Sequence, residues 1–75
     1  MMLVKVETYF DGKDWCARGI GEDIFTQGRT LDEVTKNIKD AVAIHYEDKL
    51  RQDKSISILI LFETEVKSVS RTAAG

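Results

Sequence analysis

The acids Glu7, Asp11, Asp14, Glu22 and Asp23 are of the type that holds a divalent cation, because magnesium and calcium take carboxylate oxygens and some nucleases clamp two such ions between acids. Their placement argues for plainer work. Asp11 and Asp14 stand in an Asp-Gly turn, Glu7 falls on the polar side of an alternating strand, and Glu22 and Asp23 share a glycine-containing loop without EF-hand spacing. His45, the only histidine, has the chemistry of a general base but shares a helical stripe with Val34, Ile38 and Ala41, where an aromatic packing residue fits. Cys16 has neither a histidine nearby in sequence nor a helix N-terminus of its own to lower its pKa, so it reads as a small half-buried residue. With one cysteine and one histidine, the chain can form neither an internal disulfide nor a Cys/His zinc site by itself. The glycines on either side of Ile20 lack the GxGxxG and Gly-Lys-Ser/Thr contexts of phosphate loops. Lys49, Arg51 and Lys54 are cations of the kind expected at a helix end. No catalytic, cofactor or metal residue is expected, and the chain reads as non-enzymatic.

The elements that position these residues follow from pattern. Residues 3–10 alternate, with Val4, Val6, Thr8 and Phe10 on one side and Leu3, Lys5, Glu7 and Tyr9 on the other, the period of a half-buried strand. Asp11-Gly12-Lys13-Asp14 is a hairpin turn, and extended structure resumes at Trp15-Cys16-Ala17-Arg18. Gly19-Ile20-Gly21-Glu22-Asp23 fits a bulge, a bend or a loop and is read as a loop. Residues 24–27 have the composition of a short third strand.

Gly28 then allows a tight turn, Thr30 caps a helix, and Glu33 completes a capping box three residues later. That helix is expected to run to about Lys49. Its apolar stripe is Leu31, Val34, Ile38, Ala41, Val42 and His45, flanked by Ile44 and Tyr46. Asp32 with Lys36 and Glu47 with Arg51 are expected i,i+4 pairs on the solvated side. Arg51-Gln52-Asp53-Lys54 is a connector, residues 55–62 a buried strand, and residues 63–69 its exposed extension, whose free edge invites a partner. Residues 70–75 should fray. The expected fold is α+β in the order β-β-β-α-β: a three-stranded antiparallel meander, one helix on one face, and a fourth strand returning to the sheet, in a single domain spanning residues 1–75.

Seventy-five residues bury only about 60% of the surface that the unfolded chain exposes. Small domains of this kind need a staple, and oligomerisation is the one left. A stripe this wide exceeds what one small sheet must cover, so its margins Ile44 and Tyr46 are candidate interface residues, together with Trp15, a type enriched at interface hot spots, and Glu63, Glu65 and Lys67 on the terminal extension. The formal net charge of −2 with 32% charged residues gives no general attraction to a phosphate backbone. Without a signal segment or an 18-residue apolar run, the expected location is the cytoplasm.

The run from Trp15 to Asp48 resembles the short HicB-like family, partial RNase H-like domains related to HicB antitoxins. The resemblance rests on Trp15-Cys16-Ala17, on the segment from Ile24 to Val34 with its Gln27-Gly28-x-Thr30 helix entry and Glu33, and on Asn37-Ile38-Lys39-Asp40-Ala41-Val42. It implies a dimer or larger homo-oligomer, no nuclease activity, and a HicA-like mRNA-cleaving toxin as candidate partner. Complete antitoxins add a DNA-binding module; after Val69 no second helix follows, so direct DNA binding is not expected. Gly19 to Asp23 replaces a proline-containing loop frequent in bacterial antitoxins, and His45 stands where the family often has tyrosine. Two other readings compete with this one: a small-ligand-binding oligomer with a cavity between subunits, and a metal-dependent nucleic-acid processing enzyme using the acids.

Overall fold

The computed structural model describes residues 2–53 and 55–68. Its elements are β1 (Met2–Phe10), β2 (Trp15–Gly19), β3 (Phe25–Gly28), α1 (Leu31–His45), α2 (Glu47–Asp53) and β4 (Ile56–Phe62). The sheet order is β3-β2-β1-β4, with β1, β2 and β3 an antiparallel meander and β4 parallel to β1. This is an α+β fold with a mixed sheet and one main helix. The parallel pairing follows from the path: β3 runs in the direction of β1, and α1 carries the chain back to the start of the sheet, so β4 enters alongside β1 in the same sense.

Each connection has a local cause. In the first hairpin the Asp11 carboxylate accepts from the Lys13 and Asp14 amides at 2.9 and 2.7 Å, and Gly12 takes a φ of +102° that side-chain-bearing residues avoid. At the entry to α1, Thr30 Oγ1 accepts from the Glu33 amide at 3.0 Å. The Glu33 carboxylate reaches back to the Arg29 amide, one residue beyond the position a standard capping box would satisfy.

The core lies between the sheet and α1. Val4 and Val6 from β1, Ala17 from β2, Ile24, and Val34, Ile38 and Val42 from α1 are buried together. The alternation of β1 therefore points inward as its sequence pattern requires, although Phe10 at its end is exposed.

Four expectations need correction. The helix stops at His45 rather than near Lys49, because Tyr46 leaves helical geometry at φ −115°, ψ 35°, while its amide still donates to the Val42 carbonyl; α2 follows, so residues 51–53 are helical and not a connector. Residues 55–62 do not form a fully buried strand: β4 is a sheet edge, α1 lies over β3 and β2 instead, and the strand alternates half-buried with exposed residues. Lys36 pairs forward with Asp40 at 2.9 Å rather than back to Asp32, whereas Glu47 and Arg51 pair as expected. Gly28 has no positive φ; it is needed for close approach, since a Cβ there would stand 2.6 Å from the Val34 nitrogen. The expectations for Lys54, Val69 and residues 70–75 lie outside the described residues.

Candidate functional site

Two of the acids, Glu7 and Asp11, serve the fold. Glu7 pairs with Arg18 at 2.6 Å across the β1–β2 pair, and the Arg18 guanidinium lies 5.2 Å from the centre of the Tyr9 ring. The Glu7 hydrogen bond and charge raise the pKa of Arg18. Asp11 is held below the ordinary carboxylate range by the Asp14 and Lys13 amides, with the Cys16 thiol contributing. Cys16 is fully buried, and burial, followed by the adjacent Asp11 carboxylate 3.4 Å away, pushes its thiol up. A thiol held in that state is a poor nucleophile. Among the described residues no three His, Cys, Asp or Glu side chains gather in metal-binding geometry.

The helix-entry residues are also consumed internally. The Gln27 carbonyl accepts from Asn37 Nδ2 at 2.7 Å, which ties α1 to β3. Gly28 admits the helix, Thr30 Oγ1 satisfies the Glu33 amide in its first turn, and the Glu33 carboxylate holds the Arg29 amide just before the helix. His45, expected on the packed stripe, is exposed and meets Tyr46 edge-on with ring centroids 4.7 Å apart. Tyr46 itself is not an outward margin: it is half-buried against the core, with its hydroxyl buried beside the Glu22 carboxylate. Burial first, and the Glu22 carboxylate second, push that hydroxyl up to about 12.

Part of the outward-facing surface is apolar. Trp15 is the centre of an aromatic group, with Phe10 and Phe62 each 5.1 Å away between centroids. An open cleft of about 870 Å³ lies beside this group, and its lining includes Tyr9, Phe10 and Trp15 together with Glu63, Glu65 and Lys67. The structure thus brings Trp15 together with the three charged interface candidates of the terminal segment. Ile44, at 76% exposure, stands apart on α1, near Phe25 and Asp23.

A second surface escapes reading from sequence. The register of β1 and β4 places Leu3, Leu59 and Leu61 on the face of the sheet away from α1, and all three are exposed. On the helix side, Ile56, Ile58 and Ile60 are only half-buried and line a groove of about 370 Å³ with Val42, Leu50 and Lys39. Both faces of β4 are therefore apolar and incompletely covered. The signal was present as an uninterrupted Ile/Leu run, but such a run also describes a buried central strand.

An α+β domain with one main helix and an apolar edge strand is the class these features define. The chain belongs to the UPF0150 family: it is 44% identical over 47 residues to a UPF0150 protein of Archaeoglobus fulgidus, a match covering 63% of this chain and 68% of that relative. No family model matches the chain. No solved structure matches it significantly. No helix among the described residues is long and apolar enough to cross a membrane.

Proposed function

We propose that this chain is a non-enzymatic protein-interaction domain of the HicB-like type, which self-associates and masks a HicA-like mRNA-cleaving toxin by steric cover. The observation that carries this reading is β4, an edge strand with unsatisfied apolar surface on both faces, adjoining the Phe10, Trp15 and Phe62 group. An exposed apolar edge is a liability for a lone chain and a template for strand addition. The resemblance carried by Trp15 to Asp48 supplies the toxin as partner class, and the cytoplasm, where mRNA is translated, is the matching location.

Light scattering on the purified chain tests self-association, and co-purification with a co-expressed HicA-like toxin tests masking. The expected results are a mass at least twice the 8.5 kDa of one chain and a stable complex in which mRNA cleavage is suppressed. A monomer at all concentrations that leaves the toxin active would refute the reading.

A further inference from the structure

Beyond Phe62 the chain leaves the sheet with a last hydrogen bond from the Glu63 amide to the Thr8 carbonyl at 2.9 Å. Residues 64–68 are exposed throughout, Val66 at 93%. Among the described residues their backbone makes no hydrogen bond, and neither Glu65 nor Lys67 forms an ion pair. The sequence Thr64-Glu65-Val66-Lys67-Ser68 is complementary to itself when run antiparallel. With Val66 opposite the partner's Val66, Glu65 faces the partner's Lys67, Lys67 faces the partner's Glu65, and Thr64 faces the partner's Ser68.

We propose that this segment pairs antiparallel with the same segment of a second copy, on a two-fold axis at Val66, and so fixes the register of the self-associated state. The inference rests on the self-association proposed above and specifies its geometry. Period-two alternation puts Glu65 and Lys67 on one face of the ribbon and Thr64, Val66 and Ser68 on the other. Opposite charges directly across a strand pair attract and like charges repel. Centring the axis on Glu65 or on Lys67 instead would set like against like, as would parallel in-register pairing. The Val66 register alone among these matches both charge pairs, and it covers the most exposed of the large apolar side chains.

The test uses Val66→Cys in the full chain under mild oxidation. Residues directly opposite in an antiparallel pair have Cα atoms about 4.5–5.5 Å apart, within reach of a disulfide, and the native Cys16 is buried. Val66→Cys should cross-link at least about tenfold faster than Ser68→Cys, whose twin would lie roughly 14 Å away at about 3.4 Å per residue. Glu65→Lys and Lys67→Glu should each weaken self-association by roughly tenfold, while an equimolar mixture of the two should recover it as a heterodimer. If the parent chain still doubles its mass but Val66→Cys cross-links no faster than Ser68→Cys, or the mixture associates no better than either variant alone, this register is wrong and the interaction reading survives. A monomeric parent chain overturns both.

Discussion

Replacing Gly28 by alanine tests whether the close approach of β3 to α1 organises the fold. The added Cβ would meet the Val34 nitrogen at 2.6 Å, the Val34 Cα at 2.9 Å and the Glu33 carbonyl carbon at 3.0 Å. All three are backbone atoms in the first turn of the helix, so no side-chain rotation relieves the overlap. Either β3 or the helix start must move, which disturbs the Thr30 cap, the Asn37 bond to the Gln27 carbonyl and the Val34 contact at once. Overpacking a tight site costs about 1–3 kcal/mol, and the rigid neighbours place this one near about 3 kcal/mol. A domain of this size has a total stability of about 4–11 kcal/mol at the usual per-residue value, so the loss is a large share. Urea unfolding followed by circular dichroism should show the midpoint falling by about 2–3 M with an unchanged slope, taking a slope near the low end for small proteins. Gly12→Ala is the control: its Cβ meets nothing, and only the positive φ is penalised, at about 1–2 kcal/mol. A Gly28→Ala chain that unfolds within about 0.5 kcal/mol of the parent, the ordinary range for surface changes, would refute the close-approach argument.

Ile38→Ala, at the centre of the core with 1% exposure, should cost about 2–4 kcal/mol in the same assay. Thr8 is buried and its Oγ1 has no partner among the described residues, so Thr8→Val should stabilise by about 1 kcal/mol, visible as a higher melting temperature. For Tyr46 the folded chain holds its phenolic proton more tightly than the ordinary value of 10.0, up to about 12. Its contribution is therefore complete below pH 10.0 and lost as the pH rises toward about 12, because over that interval the unfolded chain releases a proton that the folded one retains. Tyr46→Phe should flatten this alkaline decline in a pH series of urea midpoints.

Local chemistry was legible in the sequence. The alternation of residues 3–10, the Asp11-Gly12 turn and the Thr30 cap each depend on neighbours within a few positions and appear with the anticipated role, whereas the Glu33 carboxylate takes the Arg29 amide rather than the N-cap amide of a capping box. The split at Tyr46 was not legible, because Leu31 to Lys49 is continuous in helical pattern and only the core receives the Tyr46 ring. Trp15 could be named as an anchor, but Phe10 and Phe62 come from opposite ends of the chain and meet it only after β1 has paired with both β2 and β4.

What the sequence determined by itself is thus the four strands, the main helix, their order and the cap that starts that helix, since these are settled by bonds between near neighbours. The tertiary structure decided that β4 is an edge and not a centre. Its Ile/Leu run is equally suited to both positions, and the choice depends on where α1 lies, over β3 and β2. That placement leaves both faces of β4 incompletely covered, because a single helix of 15 residues is too narrow to cover a sheet of four strands.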